Sequence, residues 1–256
     1  MKKSFTLLLA VLGISIGYSQ DNDRPENTGD NFSLEGALAM FKNANSIEEF
    51  EKAINEENNN VNNLDLNNDG NIDYIIVEDI NEGNTHVIVL STFLNKTERQ
   101  DIATIGIEKT GKEEAQLQIE GDETLYAKNT IAEPLEVNKT VVNVWLWTSV
   151  RYLYAPRYVI WVSPYRWGFY PKWWRPWRPI RHALFYTHCA PHRVHYHYVK
   201  TRRVVVAHKV YAPRRHSSTL VVHNRRGTTV IHQSKRGNVK SVNVNNKRVK
   251  AKDRRR

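Results

Sequence analysis

Acidic and basic side chains are segregated along this chain, and that segregation limits what it can fold into more than any motif does. Residues 20–137 hold 26 Asp and Glu against 8 Lys and Arg, a net charge of −18. Residues 138–256 hold 27 Lys and Arg against Asp253 alone, a net charge of +26. A compact body carrying either charge repels itself, so each portion needs counter-charges from ions, from an outside partner or from the other portion. Aromatic and imidazole groups are segregated too: all seven Trp lie within residues 145–177 and nine of ten His within residues 182–232. This distribution excludes a uniform single-domain enzyme and a collagen-like chain. With Cys189 the only cysteine, it also excludes a disulfide-stapled domain.

Residues 1–19 read as a secretory signal peptide. Lys2 and Lys3 give the positive start, residues 5–16 form the apolar run, and Gly17 and Ser19 are the small residues ahead of a cut before Gln20. The run is too short to span about 30 Å of hydrocarbon. The expectation is an exported protein: periplasmic, associated with the outer envelope, or secreted. Residues 20–33 are polar and turn-rich and read as a flexible linker.

Residues 34–133 read as an acidic α+β domain. Leu34, Ala37, Met40 and Phe41 recur at helical spacing, and Ser46 with Glu49 fits a capping box before a second helix carrying Ile47, Phe50 and Ile54. Strand-like runs follow at 74–78, 86–93, 102–108 and 116–120, with turn signals at 81–84 and 110–112. This order predicts two short helices packed on one face of an antiparallel β-meander. Polar alternation through 104–108 and 114–120 predicts that the other face stays wet. Pro134 marks a boundary. Residues 138–180 read as a Trp- and Pro-rich β or extended segment, with β-prone runs at 141–147 and 158–162. Residues 181–256 read as a His- and Arg-rich basic tail, partly disordered, with Arg225-Arg226-Gly227 and Lys235-Arg236-Gly237 as candidate hairpin turns.

The strongest chemical motif is Asp65-Leu66-Asn67-Asn68-Asp69-Gly70-Asn71-Ile72-Asp73. Calcium takes six to eight hard oxygens. Asp65, Asn67, Asp69 and Asp73 offer side-chain oxygens, Asn71 a backbone carbonyl, Gly70 the sharp turn and Ile72 an inward tether. Three carboxylates this close repel one another without a cation. The nine residues resemble the DxNxDGxxD calcium loops of EF-hand-like, dockerin and FG-GAP modules, and the resemblance implies a calcium site rather than a fold. Ile76 stands where the twelfth-position glutamate of a full EF-hand would be, and the single copy gives no repeat. Without an ion, the same residues form an Asx-rich turn.

Trp173, Trp174 and Trp177 alternate with Arg175 and Arg178. One reading of such a stretch is an aromatic core or a dock onto the first domain. Others are a membrane interface, or stacking on sugar rings or bases with Arg at an anionic backbone. His188, Cys189, His192, His195 and His197 bring one thiol and four imidazoles into ten residues; in a strand His195 and His197 would share a face and chelate a borderline-soft metal. The order of an acidic part with a DLNNDGNIDY loop, an aromatic segment and a basic tail resembles exported bacterial proteins of unknown function, which implies no activity.

No nucleophile elbow, metalloprotease, phosphate-loop or dinucleotide fingerprint is present. Cys189 with His192 is the one nucleophile-and-base pair, and adjacent basic residues favour its thiolate. The expectation is a protein that is not an enzyme. It would be an exported binding or envelope-associated protein with calcium and a cationic aromatic region that attaches to anionic lipid, glycan or another polyanion, nucleic acid being less available outside the cell. Two alternatives are a transition-metal-handling protein using residues 188–197, and a structural envelope protein whose acidic and basic halves bind each other within or between molecules. N-terminal sequencing of the mature protein from its native cell is expected to begin at Gln20; a mature chain that keeps Met1 would rule out export through this leader.

Overall fold

Ser33 accepts the Gly36 amide hydrogen at 2.9 Å and starts α1 (Leu34–Asn43); Ser46 accepts that of Glu49 at 3.1 Å and starts α2 (Ile47–Ile54). The computed structural model describes residues 23–135, 142–224, 227–233, 239–243 and 252–254; the leader lies outside the described residues. The Glu49 carboxylate reaches back to the Asn45 amide at 2.9 Å, one residue before the cap. Leu34, Ala37, Leu38 and Phe41 of α1 pack with Ile47, Phe50 and Ile54 of α2, all buried, and the two Phe rings meet edge to face at 5.3 Å.

A loop delivers the chain to a meander of β1 (Ile76–Glu82), β2 (Thr85–Phe93), β3 (Arg99–Gly111), β4 (Glu114–Gly121) and β5 (Ile131–Pro134), each antiparallel to the next. The architecture is α+β, with α1 and α2 on one face of the sheet. The sheet does not stop at Pro134. The chain leaves and returns as β6 (Tyr196–Val199), which pairs antiparallel with β5. The change of charge at residue 138 is therefore no boundary of the sheet.

The excursion between β5 and β6 departs from its expected β character. Asn143 accepts from the amides of Trp145 (3.0 Å) and Ala115 (3.1 Å) and donates to the Glu113 carbonyl (2.9 Å). That side chain turns the chain into a 3-10 turn at Val144–Leu146 and then α3 (Thr148–Leu153), in place of the strand expected at 141–147. Val144, Val150 and Leu153 join the helical core. Residues 158–163 are extended and lie along the open edge of β1: the Asp79 amide donates to the Trp161 carbonyl (2.8 Å) and the Ser163 amide to that of Val77 (3.1 Å). Two short helices, α4 (His182–His188) and α5 (Ala190–Arg193), lead into β6.

The second face of the sheet is covered, which corrects the expectation that it stays wet. Residues 200–219 cross it as a strap containing α6 (Val205–Tyr211). Ile88 and Leu90 of β2 face the first core, whereas Val87 and Val89 pack with Val204, Ala207, Val210 and Tyr211 of the strap. Gly106 in β3 lets α6 approach; a Cβ there would stand 2.8 Å from the Ala207 Cβ. The polar residues of the sheet hold the strap. Glu108 accepts from the Val206 and Ala207 amides (2.8 and 3.0 Å) at the start of α6. Gln118 accepts from the Arg203 amide (2.7 Å), and Tyr211 and the His216 amide donate to Asp101 (both 2.7 Å).

Ion pairs complete the attachment. Arg202 meets Glu120, Arg203 meets Glu133 (3.3 Å), Arg214 meets Glu82 (2.6 Å), and Arg215 meets Asp122 while also donating to Thr124 (2.7 Å). Beyond the strap, β7 (Leu220–Asn224), β8 (Gly227–Gln233), β9 (Val239–Asn243) and β10 (Lys252–Arg254) form a four-stranded antiparallel sheet in the order β10-β9-β8-β7. Arg225, Arg226 and residues 234–238, including Lys235-Arg236-Gly237, lie outside the described residues.

Asp122 is buried and its partner Arg215 nearly so. Removing one member strands the other charge. Arg215→Met is expected to cost about 3–5 kcal/mol, and Arg215→Met with Asp122→Asn less than the single change; a urea melt in which the single variant matches wild type would show that the pair does not fasten the strap.

Candidate functional site

The Asp65–Asp73 loop joins α2 to β1, and its side chains cap its own backbone. Asp65 accepts from the Asp69 (3.1 Å) and Gly70 (2.9 Å) amides, Asn67 from Asp69 (2.9 Å), and Asp69 from Asn71 (2.8 Å). Gly70 takes φ +85° and Asn68 φ 58°, the left-handed conformations that wrap the chain. Ile72 is buried as expected, and its amide donates to the Trp177 carbonyl at 2.8 Å, tying the loop to the aromatic segment. Asp73 turns inward to accept from the Leu66 amide at 2.6 Å. Burial, with a smaller contribution from the Asp65 and Asp69 charges, pushes its carboxyl up to about 8. The donors are all hard oxygens, the chemistry that suits calcium. Among the described residues, however, no three His, Cys, Asp or Glu side chains converge as a metal-binding group.

The structure separates the His and Cys residues. Cys189 is buried and donates to the Asn60 carbonyl (3.1 Å), while His192 Nε2 lies 3.2 Å from the Asn59 carbonyl; both dock onto the loop after α2. His197 faces Glu133 across 3.5 Å on the sheet, and His188 and His195 are exposed, His195 lying just ahead of β6. Burial pushes the Cys189 thiol up to about 11, which corrects the expectation of a thiolate favoured by nearby cations.

The five aromatic and arginine residues expected to form one surface are divided. Trp174 is 7% exposed beneath Tyr74, ring centroids 5.1 Å apart, and Trp177 is half-buried. Trp173 is 43% exposed, and Arg175 and Arg178 are exposed. The Arg175 guanidinium donates to the Lys172 and Trp174 carbonyls (both 2.8 Å).

The cations of the second half also divide. The four arginines of the strap meet carboxylates. Burial would raise Glu120, but hydrogen bonds and charges from His208 and Arg202 outweigh it and hold its carboxyl down at about 2. By contrast, Arg151, Arg157, Arg166, Lys172, Arg175, Arg178, Arg181 and Arg193 form no ion pair with a described carboxylate. Arg166 lies over the Phe169 ring (4.5 Å) and Arg193 over Tyr186 (3.4 Å). Val159, Ile160, Val162, Phe169 and Tyr186 are exposed in the same excursion.

Two buried polar centres escaped the sequence reading. Glu51 of α2 accepts from Tyr74 (3.1 Å), Ser163 (2.6 Å) and Trp161 Nε1 (3.0 Å), and burial pushes its carboxyl up to about 7. His86 Nδ1 lies 2.8 Å from Asp79 and its Nε2 2.7 Å from the Asn81 amide nitrogen, while Tyr158 donates to Asp79 (2.8 Å). The available signals were Glu51 at helical spacing from Ile47, on the apolar stripe of α2, and His86 as the one histidine outside the basic portion. Comparison of the chain with protein-family models, curated proteins and solved structures returns no match.

Glu51 titrates higher in the fold than in the unfolded chain, so the folded state holds the extra proton between its ordinary range and about pH 7. Stability falls as pH rises across that window. Glu51→Gln is expected to flatten the fall in a series of thermal melts; a variant that keeps the wild-type slope would show that Glu51 does not set it.

Proposed function

We propose that this is an exported, non-enzymatic protein that attaches to an anionic component of the cell envelope through the excursion at residues 142–193. The observation that carries this reading is the set of eight cations in that excursion without a described carboxylate partner, beside exposed Val159, Phe169, Trp173 and Tyr186. Arginine beside exposed aromatic and aliphatic groups suits a headgroup region or an acidic glycan, where the cation meets phosphate or carboxylate and the ring an apolar face. The strap is the internal counterpart: its arginines are used within the molecule. A structural protein whose acidic and basic halves bind each other is the second reading, and the Arg202, Arg203, Arg214 and Arg215 pairs favour it. Calcium is proposed as a structural ion of the 65–73 loop, supported by the oxygen-only donor set. The dispersal of His188, Cys189, His192, His195 and His197 argues against transition-metal handling.

Sedimentation with vesicles tests the attachment. Binding is expected to vesicles containing anionic lipid and not to neutral ones, and to fall steeply between about 50 and 200 mM salt. Changing Arg175, Arg178 and Arg181 together to Gln is expected to lower it severalfold. No binding to anionic vesicles or to an acidic polysaccharide would overturn the reading. Calcium at millimolar concentration is expected to raise the melting temperature, and an unchanged melt would remove the ion from the loop.

A further inference from the structure

A cavity of about 270 Å³ opens between the start of α2 and the aromatic segment, and none of the eight cations just described lines it. Its walls carry four rings, Tyr74, Trp161, Tyr165 and Trp173. The rings stand at angles and do not stack flat: Tyr74 meets Tyr165 at 79° and 5.6 Å, and Trp173 at 54° and 6.5 Å. Faces and edges therefore bound a concave space. Three acidic side chains, Glu48, Glu49 and the buried Glu51, share the lining with a single cation, Lys52.

Lys52 apart, the ring faces and ionised side chains of this space have one sign. Aromatic faces carry negative potential, and a cation within about 6 Å of a ring centroid is attracted to it. The Glu48 and Glu49 carboxylates add to that field; burial and then the Glu51 and Glu48 charges push the Tyr165 phenol up. The chain already shows the preference: Lys52 Nζ lies 5.7 Å from the Trp173 centroid. That ammonium is only loosely engaged, with 3.8 Å to Glu56 and a side chain more than half exposed, so it can be displaced. An anion would meet carboxylates, and a neutral group would gain apolar contact alone.

We propose that this cavity is a binding site for a small organic cation, an alkylated or quaternary ammonium group, held by Trp173, Trp161 and Tyr165 and by the field of Glu48 and Glu49. Lys52 is the resident cation that the ligand replaces. The site goes beyond the attachment reading, since its charge preference is the opposite one.

Titration of the full chain with tetramethylammonium chloride, followed by tryptophan fluorescence, tests it, with sodium chloride at matched ionic strength and tert-butanol as the uncharged isostere. Saturable binding is expected for tetramethylammonium alone. Trp173→Leu, at a half-exposed position, and Glu48→Gln, at an exposed one, are each expected to weaken it, the first by about threefold to thirtyfold. Lys52→Met is expected to tighten it by removing the competing ammonium. An equal response to tert-butanol, no saturation in the millimolar range, or Trp173→Leu and Glu48→Gln proteins that melt like wild type and bind unchanged would each overturn the proposal.

Discussion

The contact between the strap at residues 200–219 and the polar face of the sheet is the one on which the rest of the structure depends. Asp101 and Glu133 are buried in the sheet and Asp122 at the end of β4, where an isolated charge is costly. Each is met by a group from the strap: Tyr211 and His216 at Asp101, Arg203 at Glu133, and Arg215 at Asp122. The same segment carries Val204, Ala207 and Val210 onto Val87 and Val89. Charge and apolar area are thus satisfied by one crossing segment.

The helices and the meander were legible because their signals are local. Ser33 and Ser46 cap what they precede, apolar spacing sets the buried faces, and tight turns join neighbouring strands. The strap was not legible, because alternating polar residues look the same whether they face water or another segment. One signal did distinguish the cases: Val87-Ile88-Val89-Leu90 is apolar on both faces, which a sheet wet on one side does not require. Asn143 illustrates a different limit. A β-prone run became a helical turn because one side chain found three backbone partners, two of them about thirty residues away in sequence.

The candidate sites show the same division. The residues of the 65–73 loop were legible from spacing, since the turn residues and the carboxylates belong to one contiguous stretch. The imidazoles and thiol of residues 188–197 are equally close in sequence, yet two short helices, a turn and a strand divide them, with Cys189 and His192 on the loop after α2 and His197 on the sheet. The density of Trp suggested a single surface; Trp174 instead seals the base of the loop against Tyr74, leaving Trp173 to face outward. The Glu51 cavity depends on residues from α2, β1's approach and the excursion, more than one hundred positions apart, and no local pattern announces it.

The position of β6 has a consequence for how the molecule is assembled. A chain exported from its N-terminal end delivers the meander before residues 196–219 arrive. Until they emerge, β5 is an unpaired border and the buried acids have only water for company. Closure is therefore a late event between distant stretches, the kind of pairing that slows maturation and exposes an unfinished sheet to its neighbours. A nascent chain of this design is most vulnerable in the interval before its own cationic end arrives.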